Sequence, residues 1–236
     1  MMIPQAGNFD AIGGFKESLQ EVDILCDAAE AAQQSADKYS IFNKAALLLI
    51  AGKFESFAES IVEEFIFKLN ELGLPSHLIP DTIRLQHTFY ALRELETIQP
   101  RHKHGEAKTL FCELGKLWNS SEQFLTLKVD MRLSFGKHGE SELIKLFERI
   151  GITDIFDVIQ LTEKLETIST EAPVERQIDF RGTFNSVTSI RNNILHEDAS
   201  PNLNTVQIRE YRHHFENFAI KLDSHLAGVL SALVQH

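Results

Sequence analysis

Residues 47–65, "LLLIAGKFESFAESIVEEF" (Leu47 to Phe65), decide the fold class. At 100° per residue Leu48, Ala51, Glu55, Ala58, Val62 and Phe65 recur at three- and four-residue spacing on one face, which is the period of an amphipathic helix and not of a strand. Glu55 interrupts that apolar stripe, and a carboxylate in such a row needs a cation or a wet interface to offset its burial. Helical periodicity continues on both sides of the stretch and strand-like alternation is almost absent, so the class is all-α.

Working outward, a first helix is expected over about 14–37 and the long second one over about 40–72, where Gly73, Pro75 and Pro80 end it. Asp81 can cap a third helix to about 97. Pro100 and Gly105 mark a basic loop, "QPRHKHGEAK" (99–108), followed by a helix over about 106–126 that carries Trp118. The segment 128–139 reads as a loop or short extended piece. Helices resume at about 140–150 and 153–169, the latter capped by Asp154 or Thr153. After the break at 170–175 a helix over about 176–197 is expected, then the turn "DASPNLN", then a last helix to about 234 capped by Asn204 or Thr205. With no internal repeat or low-complexity tract, one bundle-like domain over 1–236 is the simplest organisation.

Bulk properties limit the function classes. The net charge of −11 speaks against a general nucleic-acid binder, which needs clustered Lys and Arg. The imbalance is local: residues 1–75 hold twelve acidic and five basic side chains, whereas 99–108 holds three basic residues and two His against one Glu. That stretch is a solvated loop or a local basic site. Cys26 and Cys112 have no spacing suited to zinc and read as core thiols in a reducing compartment. No signal peptide is expected from the first residues, and the apolar run Ala45 to Ala51 is far short of the roughly 20 residues of a membrane span. A soluble cytoplasmic protein without membrane contact is expected.

The chemistry is concentrated in "SIRNNILHED" (Ser189 to Asp198). On a helix Phe180, Phe184, Val187 and Ile194 form an apolar stripe with Arg191 inside it, while Asn185, Ser189, Asn192 and His196 form a polar edge. Arg191 and His196 then stand about 140° apart around the axis and about 7.5 Å along it. They are not natural partners within one helix, but two copies meeting on a two-fold axis can bring both pairs around one cleft. Glu55 is the candidate counter-ion of Arg191. The spacing alone is unselective: with ten Arg and ten His in the chain, Arg209–His214 repeats it and Arg132–His138 comes within one residue. A metal site built on His87, His102 and His104 lacks an acidic ligand at convincing spacing, and no metal or cofactor is expected.

In "RNNILHED", a polar residue directly after the Arg, a paired apolar step and a His at a helix end before one last long helix occur together. The combination resembles the HEPN superfamily, whose R-x4-6-H motif lies near the end of the penultimate long helix; Glu197 stands where many members have Gly. The 47–65 helix and "FGKHGESELIKLFERIGI" are similar to segments of the RiboL-PSP and MAE_28990-type HEPN families. The resemblance covers about 40–230 and implies a HEPN-like bundle with additional helices. It also implies a metal-independent endoribonuclease acting at a homodimer interface, with RNA as substrate and a 2′,3′-cyclic phosphate as product. Arg191 would stabilise the charge developing on phosphorus, His196 would act as acid or base, and Asn192 would orient the phosphate or the His, with Glu55 and Asn193 in support. A toxin or phage-defence role with an antitoxin or defence-system partner is implied by the resemblance alone. The competing reading is a non-catalytic HEPN-like module that binds a partner protein or a nucleotide, in which Arg191 and Glu55 form a structural pair.

Overall fold

The computed structural model describes residues 9–98, 103–119, 123–124, 126–131, 139–165, 174–196 and 201–235. The long helices are α1 (Asp10–Ala31), α2 (Ala36–Glu71), α3 (Asp81–Ile98), α4 (His104–Asn119), α5 (Gly139–Glu148), α7 (Phe180–His196) and α8 (Thr205–Val234). A single turn, α6 (Ile155–Val158), leads into an antiparallel hairpin of β1 (Leu161–Leu165) and β2 (Val174–Ile178), with Leu161 opposite Ile178. The all-α class holds, with the hairpin as its small exception.

The apolar stripe of α2 packs between α1, α8 and α7. Its centre is Phe54, 1% exposed, whose ring lies 4.8 Å from Phe215 in an edge-to-face contact and 5.7 Å from Phe184. Phe15, Phe57, Phe180 and Phe218 complete the cluster around it. Edge-to-face rings add directional preference to the burial term, so the cluster fixes helix register as well as adding stability.

Polar groups tie the outer elements to this core. The orphan N–H groups at the start of α1 are met from elsewhere in the chain: Glu64 accepts from Asp10 and Ala11 at 2.8 and 3.0 Å, and buried Asp223 accepts from Phe9 at 2.7 Å. Along the same helix Asp23, Asp27 and Glu30 face Arg209 of α8, with Asp27 at 2.6 Å. At the far end of α2, Gly73 adopts φ +57° and donates to Asn70, the left-handed helix stop that favours glycine. Asn70 clamps Leu127 through both its N–H and C=O, and His87 of α3 accepts from the Lys128 N–H at 3.0 Å.

Several expectations need correction. The helix expected over 153–169 is one turn followed by β1, and the helix expected from 176 begins at Phe180 because 174–178 form β2. Leu161 and Ile178 of the hairpin reach the core, and in the sequence the apolar residues of each strand recur four apart, Leu161 with Leu165 and Val174 with Ile178, a spacing that fits a helix as well as a strand. The first helix starts four residues earlier than expected and ends at Ala31, six short of the expected 37; a turn precedes α2. Asp81 lies inside α3 and pairs with Arg84, with Pro80 preceding it. Helix α4 stops at Asn119 and Gln123 bridges to Pro75. The Asp154 cap on Phe156 and the Asn204 cap on Gln207 are present. Arg132, His138, His102, the loop start at 99–102, the break at 170–173 and the turn residues 198–200 lie outside the described residues.

Phe54→Ala should cost about 3–5 kcal/mol in denaturant unfolding, because the cavity would open against six rings at once. Burial holds His87, His214 and His225 below the ordinary histidine value. A histidine whose folded pKa is depressed contributes stability above its unfolded value, and that contribution is lost as pH falls through the folded value. The melting temperature should therefore drop as pH is lowered through about 6.5 and below. A flat or rising profile across that window would show that these three imidazoles are not sealed.

Candidate functional site at the end of helix α7

Helix α7 starts as an anchored element. Asp179 accepts from the Gly182 N–H at 2.8 Å, and Arg181 donates to Glu140, Asp154 and Asp157 at 2.9, 2.7 and 3.1 Å while its guanidinium covers the Phe156 ring. The start of α7 is thus bound to α5 and α6. One face then buries Phe180, Phe184 and Val187. Near its middle, Thr188 packs against Gly139, where a Cβ would lie 2.6 Å from the Thr188 methyl. Only glycine lets α5 approach α7 this closely.

Beyond Val187 the helix emerges. Arg191 and Asn192 are half-buried, and Asn193, Leu195 and His196 are exposed, Leu195 at 53%. Arg191 Nη2 lies 3.6 Å from Glu55 Oε1, with the side chains 22% and 26% exposed. Arg191 Nη1 donates to Asn192 Oδ1 at 3.0 Å. The two charges that each interrupt an apolar stripe in the sequence therefore face one another across α2 and α7. Together with Phe54, Phe184, Val187, Thr188 and Phe215 they line a narrow crevice. Burial pushes the Glu55 carboxyl above its ordinary value, Arg191 opposes that, and Glu59 adds to it.

His196 is the last residue of α7. The chain returns through Leu203 to Thr205, and α2 holds that return. Tyr39 Oη accepts from the Thr205 N–H and hydroxyl at 3.1 and 3.3 Å, and Asn43 donates to the Leu203 carbonyl at 3.3 Å. Neither residue stands out as a site residue in the sequence. Asn43 is 0% exposed although it stands just before the apolar run from Ala45, next to Lys44, where a polar residue passes for helix surface.

The two rival Arg–His pairs fare differently. Arg209 is engaged by α1 carboxylates, and His214 is buried 3.4 Å from the Thr183 hydroxyl. Arg132 and His138, and Glu197 after the motif, lie outside the described residues. For the metal alternative, His87 Nδ1 is used by the Lys128 N–H, and among the described residues no group of three or more His, Cys, Asp or Glu could hold a metal ion. Among the same residues no helix is long and apolar enough to cross a membrane.

Arg191→Ala should penalise the fold more at neutral than at acid pH. A carboxyl whose folded pKa lies above its unfolded value weakens the fold as pH rises through the folded value, and removing Arg191 takes away the group that opposes this rise at Glu55. Melting curves of the parent and the variant should converge from about pH 7.5 down to about pH 4.5. A gap of constant size would mean that Glu55 does not sense Arg191.

The RiboL-PSP-HEPN family model matches residues 15–228. No curated protein and no solved structure matches the chain.

Proposed function

The chain belongs to the RiboL-PSP-HEPN family, and from that premise we propose that it is a metal-independent endoribonuclease working as a homodimer, each copy contributing the end of its α7 to one shared cleft. The observation that carries this reading is the division along α7: its start is anchored and its middle buried, while Arg191 is half-exposed beside a crevice and His196 stands exposed on the final turn. Nothing in the packing of the core requires a histidine there.

In the proposed reaction the ribose 2′-oxygen attacks phosphorus and the P–O5′ bond breaks. A neutral His196 takes the 2′-hydroxyl proton, and the partner copy's imidazolium supplies a proton to the departing 5′-oxygen, leaving a 2′,3′-cyclic phosphate and a 5′-hydroxyl. The Arg191 guanidinium binds the non-bridging oxygens as negative charge builds on them. Asn192, hydrogen-bonded to Arg191, keeps the guanidinium aimed, and Asn193 lies exposed on the same turn to meet the RNA backbone. The two copies place two Arg and two His around one phosphate, which lets a protein of net charge −11 bind RNA in one place only. A cytoplasmic toxin or phage-defence effector held by an antitoxin-type partner is the cellular role most consistent with the family.

A non-catalytic partner-binding module is the second reading, and the observation in its favour is that both terminal nitrogens of Arg191 have partners within the fold. The two readings separate on labelled RNA in EDTA. The parent should cleave, and His196→Ala and Arg191→Ala should each lower the rate at least about 10²-fold while remaining folded. Absence of cleavage by the parent, or undiminished cleavage by either variant, contradicts the nuclease reading. Light scattering should give the mass of a dimer, and a strict monomer would contradict the shared cleft.

A further inference from the structure

We propose that Glu55 occupies the anion position at Arg191 as a displaceable stand-in, so that an RNA phosphodiester gains the guanidinium by exchange with this carboxylate. The inference rests on reading Arg191 as the phosphate-binding residue and concerns how that site is kept closed.

The contact itself suggests exchange. Other arginines here hold their acids at 2.7 Å (Arg181 on Asp154) and 2.6 Å (Arg209 on Asp27), normal charge-assisted hydrogen-bond lengths. Arg191 meets Glu55 at 3.6 Å, through one nitrogen and one oxygen, beyond the usual range of an N–H···O bond. Both side chains are about a quarter exposed, so an incoming anion can reach the pair from solvent. The other terminal nitrogen donates to the neutral Asn192 side chain, which helps to orient the guanidinium. A phosphodiester offers two oxygens in the geometry of a guanidinium fork, so it replaces a long one-oxygen contact with a two-oxygen one.

Release has a consequence at Glu55. Among the described residues, the charged groups that act on it are Glu59, one turn along α2, and Arg191 from α7; α7 also presents Phe184, Val187 and Thr188 at the crevice, and α8 presents Phe215. Burial and Glu59 both favour the protonated carboxyl, and Arg191 opposes them. When phosphate neutralises Arg191 that opposition goes, and Glu55 takes a proton from water. Phosphodiester binding is therefore linked to proton uptake and strengthens as pH falls. The closed site thus disfavours weak or transient anions and admits those that can supply both oxygens.

The test is titration calorimetry with a short 2′-O-methyl oligoribonucleotide, which cannot undergo 2′-hydroxyl attack. It uses the full chain carrying His196→Ala, so that the imidazole adds no protonation of its own. Runs in two buffers of different ionisation enthalpy read the protons taken up. Adding Glu55→Gln should tighten binding at neutral pH by roughly tenfold, abolish most of the proton uptake, and give a curve that meets the parent's at acid pH. Glu55→Asp, which keeps the charge on a shorter stem, should keep the pH dependence and serves if the glutamine variant does not fold. Arg191→Ala should erase the difference in binding that Glu55→Gln makes. Equal or weaker binding by Glu55→Gln, unchanged proton uptake, or no binding by any of the proteins overturns the exchange. Cleavage of ordinary RNA by the unmodified chain, measured alongside, keeps the two questions apart: tightening without cleavage leaves the exchange standing and removes the nuclease, and cleavage without tightening does the reverse.

Discussion

The packing of Phe54 sets the geometry on which the remainder of the site depends. Its ring contacts Phe184 on α7 and Phe215 on α8, and an edge-to-face arrangement tolerates little sliding of one helix past another. Glu55 follows Phe54 directly on α2, and Arg191 lies seven residues, or about two turns, beyond Phe184 on α7. Once the rings fix the register of α2 against α7, the carboxylate and the guanidinium are brought opposite one another. The 3.6 Å pair is a product of the aromatic core and contributes little to it.

The same register leaves α7 with two different ends. Its first turns are bound through Arg181 and Asp179 and filled with phenylalanine, whereas its last turn carries Asn193, Leu195 and His196 to solvent. Tyr39 and Asn43 hold the chain as it returns into α8, so the exposed turn lies between two fixed points. A side chain on a helix braced in this way is held more accurately than one on a loop, which is what the proposed mechanism, with an imidazole placed beside a phosphate, would require.

Much of this was legible in the residues because the long helices carry enough turns for their period to show. The stripe from Leu48 to Phe65 and the stripe from Phe180 to Ile194 each span several turns, and in each the one charged interruption marks a real contact. Equal spacing in sequence did not mean equal placement: Arg209–His214 has the spacing of Arg191–His196, yet its arginine holds α1 and its histidine is buried. The α1 acids that engage Arg209 are far away in sequence, so nothing local announces them. The hairpin was missed for the opposite reason. Each five-residue strand has apolar residues only at its two ends, Leu161 and Leu165, then Val174 and Ile178, a four-residue spacing that a helix also shows, and Ile155, Phe156 and Ile159 before them continue a helical pattern.

If the cleft is shared between two copies, a mixed pair of two single variants keeps one of the two arginines and one of the two histidines around the phosphate, whereas each variant's own pair lacks one residue type altogether. Mixing separately purified Arg191→Ala and His196→Ala proteins, allowing subunits to exchange, and following RNA cleavage tests this most directly. Activity in the mixture should lie well above the sum of the two variants alone, because a mixed pair retains one Arg191 and one His196 around the phosphate. A mixture that exchanges subunits yet cleaves no faster than its components, beside an active parent, would contradict it.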